Sequence, residues 1–98
     1  MKITFTLNNV TFEWDSDKAS LNLLKHHIPF ELACEALFDP FALWWEEEVV
    51  RGELRESIIG MTETWKLLYV VYVMRKDRIR LISAREVTHA ERKRYEDQ

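Results

Sequence analysis

Apolar positions recur along the chain with two different periods, and the changes of period mark its elements. "ITFTL" and "VTFEW" alternate β-branched and aromatic residues with polar ones on either side of Asn8-Asn9. Asparagine tolerates the positive φ of a tight turn, so this stretch predicts a β-hairpin. Asp15 then offers an N-cap to "SDKASLNLLKHH", where Ala19, Leu23 and Leu24 form an apolar stripe beside a polar one of Lys18, Asn22, Lys25 and His26. A second helix begins near Pro29 and carries Phe30, Ala33, Cys34, Leu37 and Phe38 at helical spacing before Asp39-Pro40 stops it. Cys34 is therefore expected to be a core thiol.

Beyond Pro40 the period shortens. "FALWW", "ESIIGM" and "WKLLYVVYVM" read as strands, and the last, from Trp65 to Met74, is apolar on both parities, as a strand central to its sheet must be. "RKD" turns the chain, and "RIRLISA" returns with Arg78 and Arg80 on one side and Ile79 and Leu81 on the other. Thr88 and Glu91 make a capping box for a final helix. The predicted fold class is α+β, over residues 1–98 as a single domain. It comprises an N-terminal hairpin, two N-terminal helices, an antiparallel sheet of about four strands and a C-terminal helix.

Composition narrows the setting. An apolar fraction of 47% and an aromatic fraction of 12% suit a folded chain, and one cysteine forms no internal bridge. "MKITFTLNNVTFEWD" lacks the continuous apolar stretch of a signal peptide, and no run is long enough to cross a membrane. A soluble, cytoplasmic protein without a membrane role is the expectation.

The net charge of −3 conceals a polarised chain. Residues 31–63 hold nine acidic and two basic side chains, a local −7, whereas residues 75–94 hold eight basic and three acidic, a local +5. A basic surface attracts polyanions and an acidic one suits basic partners.

Candidate chemistry follows from what is present. His26 and His27 are adjacent and point to different helix faces, His89 is isolated, and the glutamates at 46–48 diverge along a strand. Neither a metal site nor a cofactor is expected, and no glycine flanks Ser57 or Ser83 as a nucleophile elbow requires. The concentrated resource is guanidinium: Arg55, Arg78, Arg80 and Arg85 on or beside strands, with Arg92, Lys93 and Arg94 on the last helix. Arginine stays charged and forks onto phosphate oxygens, which suits RNA binding and stabilisation of charge on a phosphorane. It is a poor general base for the same reason, so proton transfer would fall to His26 or a tyrosine such as Tyr95.

Three segments carry a resemblance. "FEWDSDKASLNLLKHH", "PFELACEALFDP" and "RIRLISAREVTHAERKRYE", in that order and spacing, resemble the signatures of the BrnT family of ribonuclease toxins from type II toxin–antitoxin systems. The resemblance implies a RelE-like fold and metal-independent endoribonuclease activity that inhibits growth. It also implies a BrnA-like antitoxin that neutralises the toxin in a hetero-oligomer and through which the complex reaches operator DNA. By position it points to Arg55, Arg80, Arg85 and His26, expected to be catalytic, and to Lys25, expected to contact RNA; Lys66, Arg78 and Arg92 are further expected RNA contacts. Arg55 and Arg80, the foremost candidates for the scissile phosphate, are expected to meet in one cationic hollow.

The sequence departs from the family pattern at three places. His27 replaces a glycine after the lysine-histidine pair, "EEEVVR" stands where a histidine-serine pair is usual, and "TETWK" replaces a glycine-rich turn. These departures motivate a second reading, a catalytically degenerate member that serves as an antitoxin-binding corepressor.

Overall fold

A computed structural model describes all residues from 1 to 98. The elements run β1 (Lys2–Leu7), β2 (Val10–Asp15), α1 (Ser16–His26), α2 (Phe30–Ala36), β3 (Leu43–Val50), β4 (Glu53–Met61), β5 (Leu67–Met74), β6 (Ile79–Glu86) and α3 (His89–Glu96). Local signals place most boundaries. Asn8 and Asn9 both adopt positive φ, 51° and 66°, and close the β1–β2 turn. The Asp15 carboxylate accepts from the Lys18 amide at 3.2 Å, and Thr88 and Glu91 form the reciprocal capping box of α3.

The strands form one sheet in the order β1-β2-β6-β5-β4-β3. β5 is internal, as its two apolar parities require. The expectation of about four antiparallel strands beside a separate hairpin is corrected in two respects: the sheet has six strands, and it is mixed. β6 lies parallel to β2 through Phe12↔Ile79 and Glu13↔Arg80, while every other neighbouring pair is antiparallel. Short connections dictate direction only between consecutive strands. The free edge of β2 would leave a row of unpaired backbone groups, and docking β6 there satisfies them.

One face of the sheet carries the core. Phe12 and Trp14 of β2, Ile58 of β4, Leu68, Val70 and Tyr72 of β5 and Leu81 and Ala84 of β6 pack against Ile28, Phe30, Ala33, Cys34 and Ala36. Trp14 meets Phe30 edge to face at 5.7 Å. Gly60 admits the end of α2, since a β-carbon there would stand 2.2 Å from the Ala36 carbonyl oxygen. Cys34 is buried among these residues, and burial pushes its thiol up to about 12.

Helix α1 sits on this layer by polar contacts more than by apolar ones. The buried Asn22 donates to the carbonyls of Ile28 and Ala84 at 3.0 and 2.9 Å and accepts from the Ala84 amide at 3.0 Å. The expected stripe of Leu23 and Leu24 is not the buried one. Both are exposed, with Leu21, while Ala19 and Asn22 face inward. An amide that completes three buried hydrogen bonds fixes the helix rotation against the hydrophobic preference of its neighbours. α1 ends at His27, whose φ of 61° and amide bond to the Leu23 carbonyl are those of a left-handed cap. The fold therefore imposes the glycine-favouring conformation even though the residue is histidine.

Trp65 also departs from expectation. It lies outside β5, in a turn over residues 62–66, with φ 68° and the residue 82% exposed. Thr62 and Lys66 close that turn through backbone and hydroxyl hydrogen bonds, which start β5 two residues later than its apolar run.

Candidate active site

Strand alternation sends the arginines to the face opposite α1 and α2. With Ile58 and Leu81 in the core, Arg55, Ser57 and Arg80 point the other way, as does Glu13 between Phe12 and Trp14. Register aligns them. Glu48 pairs with Arg55, Val73 with Arg80, and Arg80 with Glu13, and the Glu56↔Tyr72 pair brings Arg55 into line with Val73. A row of Glu48, Arg55, Val73, Arg80 and Glu13 thus crosses five strands. Arg55 and Arg80 are two strand spacings apart on it, roughly 10 Å between backbones.

The two guanidinium groups share this row but differ in their partners. Arg80 lies 3.0 Å from Glu13, which also holds Arg78 at 3.3 Å and Lys2 at 3.4 Å. Burial pushes the Glu13 carboxyl up, but Arg80, Arg78 and Lys2 together outweigh that and hold it below the usual range. Arg55, by contrast, has a buried Nε with no hydrogen-bond partner, and no other buried side-chain nitrogen or oxygen is in that position. Such a group is costly unless something that binds later completes it.

Arg55 lines a recess of about 180 Å³ together with Glu46, Glu48, Ser57, Tyr69 and Ser83. A bulge at Trp45, between the pairs Trp44↔Ile58 and Glu46↔Ser57, turns Glu46 onto this face. The Tyr69 hydroxyl donates to Glu46 Oε1 at 2.7 Å. Burial pushes the Tyr69 phenol up and the adjacent carboxylate adds to the rise, so it remains protonated. Arg85 stacks over the Tyr69 ring at 4.3 Å and is itself gripped by Glu91 through bonds of 2.8 and 2.9 Å. That pairing raises Arg85 further and keeps Glu91 below the usual carboxylate range.

The single cationic hollow expected of Arg55 and Arg80 is therefore corrected. The recess holds Arg55 among carboxylates, and neither Arg80 nor Arg85 lines it. A buried carboxylate claims each of those two, because guanidinium placed half-buried in a sheet needs a counter-charge from the same fold. Lys25 and the half-buried His26 end α1 in the helical layer, on the other side of the sheet from Arg55. Lys66 is exposed in the 62–66 turn, and the exposed Arg92 lies 3.9 Å from Glu96 along α3. Tyr95 donates to Asp39 at 2.5 Å, and burial with that carboxylate pushes its hydroxyl up to about 12. No three His, Cys, Asp or Glu side chains come close enough together to hold a metal ion.

Sequence reasoning missed Glu46, Tyr69 and Ser57. Their one signal is parity: Tyr69 stands opposite Arg85 and Ser57 opposite Val71 on the same face. Glu46 joins them only through the bulge, which alternation does not reveal. The recess combines a carboxylate, a tyrosine hydroxyl bonded to it and a guanidinium with a free donor, a set able to move a proton and to neutralise an oxyanion.

Comparison with known proteins bears on this arrangement. Among curated proteins the sequence finds no match. Among solved structures the fold is similar to the 1.1 Å crystal structure of the Brucella abortus ribonuclease toxin BrnT, with probability 1.00 and TM-score 0.52 at 20% identity. The alignment covers 78% of this chain and 94% of that one. Residues 14–91 match the family described as "Ribonuclease toxin, BrnT, of type II toxin-antitoxin system", so the chain belongs to the BrnT family of ribonuclease toxins.

Proposed function

We propose that this chain is a metal-independent endoribonuclease, acting on cytoplasmic RNA, whose reaction takes place at the Arg55 recess. The observation that carries the reading is the unsatisfied Arg55 Nε beside the Glu46–Tyr69 hydrogen bond. A phosphodiester seated there would accept from Arg55 through its non-bridging oxygens. Glu46 would take the proton of the ribose 2′-hydroxyl as that oxygen attacks phosphorus. As the bond to the 5′-oxygen breaks, Tyr69 would protonate the leaving group and recover a proton from Glu46 along the 2.7 Å contact. Even a raised phenol can protonate an alkoxide, which is the far stronger base. The products would be a 2′,3′-cyclic phosphate and a 5′-hydroxyl.

Arg80 and Arg85 enter this scheme as charges on the same face. Arg85 fixes the Tyr69 ring, and Arg80 adds a second guanidinium to the row along which a strand of RNA could lie. Arg78, Arg92, Lys25 and Lys66 are peripheral RNA contacts, and His26 takes no part in proton transfer at the recess. A BrnA-like antitoxin would neutralise the toxin and carry the complex to DNA.

A second reading is favoured by the ion pairs themselves. With Arg80 held by Glu13 and Arg85 by Glu91, and with Glu46 and Glu48 at the recess, a phosphate meets opposing carboxylates. A member that has ceased to cleave and acts as an antitoxin-binding corepressor would look like this. Incubating purified protein with labelled RNA in excess EDTA separates the readings. Cyclic-phosphate ends that disappear in Glu46→Gln support the nuclease, and intact RNA supports the corepressor.

A further inference from the structure

A second concavity, of about 350 Å³, shares no residue with the recess. Its wall gathers Phe38, Phe41 and Trp65 with Glu35, Asp39 and Glu63, and neither lysine nor arginine nor histidine lines it. Three carboxylates without a counter-cation give a negative field, and exposed aromatic faces attract cations.

The groove is built rather than loose. Asp39 accepts from the amides of Phe41 and Met61 at 2.9 and 2.8 Å and from Tyr95, so its charge is fixed in the floor. Glu35 accepts from the Glu63 amide at 3.0 Å, tying the end of α2 to the 62–66 turn. That turn holds Trp65 at φ 68°, with the residue 82% exposed, and Phe41 is 68% exposed. A left-handed tryptophan projecting into solvent is unfavourable on two counts, backbone strain and apolar exposure. Exposed tryptophan on a rim whose backbone is held by hydrogen bonds is the composition of an interface anchor.

We infer that this groove is the docking site for a basic, amphipathic segment of the antitoxin, which places an arginine or lysine against the Trp65 ring and the Glu35–Glu63 carboxylates. The inference rests on the toxin reading for the partner's identity, and on the groove's charge and aromatic lining for its chemistry. It assigns antitoxin capture to a surface other than the Arg55 recess, beside the turn that carries Lys66, so that neutralisation requires the bound antitoxin to reach across to the recess.

The test is the affinity of the full chain for the antitoxin encoded in the same operon, measured by calorimetry. The unaltered protein is compared with Trp65→Ala, Glu63→Lys and, as a control outside the groove and the recess, Lys18→Ala at an exposed position of α1. Trp65 and Glu63 are exposed, and circular dichroism checks that each variant is folded. The groove assignment predicts a 10- to 100-fold loss for Trp65→Ala, a comparable loss for Glu63→Lys and an unchanged value for Lys18→Ala. It also predicts unchanged RNA cleavage by Trp65→Ala and binding that weakens as salt rises. Unaltered affinity in both groove variants would overturn the docking site and leave the nuclease reading standing. Self-association of the toxin that Trp65→Ala abolishes would overturn it in favour of a second copy of this chain. Absence of binding by the unaltered protein would overturn both the dock and the toxin–antitoxin reading.

Discussion

On the face of the sheet covered by α1 and α2, Phe12, Trp14 and Val70 are sealed by apolar neighbours, and the one buried amide, Asn22, has its partners in place. On the reverse face the same strands present Arg55, Tyr69, Arg80 and Arg85, each answered by a carboxylate or an aromatic ring except at Arg55 Nε. The difference teaches how a small chain divides its labour: the helix-covered parity is filled by apolar side chains, whereas the other, although it also buries Ile59, Leu67 and Val73, carries the one unmet hydrogen-bond donor. An unmet donor on a face built for folding would be a defect, whereas on the reverse face it marks a place for a ligand.

If this division is right, the helical face should fail first when its fit is disturbed. Gly60→Ala would drive a methyl group into the Ala36 carbonyl, and a loss of about 3 kcal/mol is expected in urea denaturation. Asn22→Ala would strand the Ala84 amide and the Ala84 and Ile28 carbonyls, with an expected loss of about 2 kcal/mol by the same measurement. Substitutions at Arg55 should leave both curves nearly unmoved, and a large shift there would erase the contrast between faces.

The asymmetry extends to pH. On the arginine face Glu13 and Glu91 lie below their ordinary value of 4.5 in the folded chain, so the stability they supply is present above that pH and lost as pH falls through their folded values. Elsewhere the folded values of Cys34 and Tyr95 rise from 9.0 and 10.0 to about 12. Their contributions are complete below pH 9 and vanish as pH climbs toward 12. Thermal melts should therefore decline at both ends. Replacing Glu91 by Gln should flatten the acid limb, and replacing Cys34 by Ala should flatten the alkaline one.

The smallest expected effect concerns α1. His27→Gly would relieve the left-handed strain at φ 61°, and a gain of up to about 1 kcal/mol is expected from melting curves. No gain would mean that the histidine ring makes up for its backbone.

How much of this was legible beforehand follows the range of the interactions. The Asn8-Asn9 turn, the Asp15 cap and the Thr88 capping box are set by residues within four positions, and each stands where the sequence places it. The core parity of β6 was equally readable. The parallel β2–β6 pairing was not, because it joins segments more than 60 residues apart that no short connection constrains. Leu23 and Leu24 misled for the complementary reason: hydrophobic periodicity cannot see that Asn22 will find three partners across the core. At the candidate site, the pairing of Arg55 with Arg80 came from the family resemblance; the two share one face, but their unequal fates depend on Glu13 and on a bulge at Trp45, both outside any local rule.

The central claim is that the unpartnered guanidinium, and not the paired ones, meets the phosphate. Its most direct test is single-turnover RNA cleavage by Arg55→Ala and Arg80→Ala side by side. The account predicts a fall of about 10²–10³-fold for Arg55→Ala, the usual loss for an oxyanion donor, and a much smaller one for Arg80→Ala. Cleavage at the unaltered rate by Arg55→Ala, or equal losses in the two variants, would contradict it.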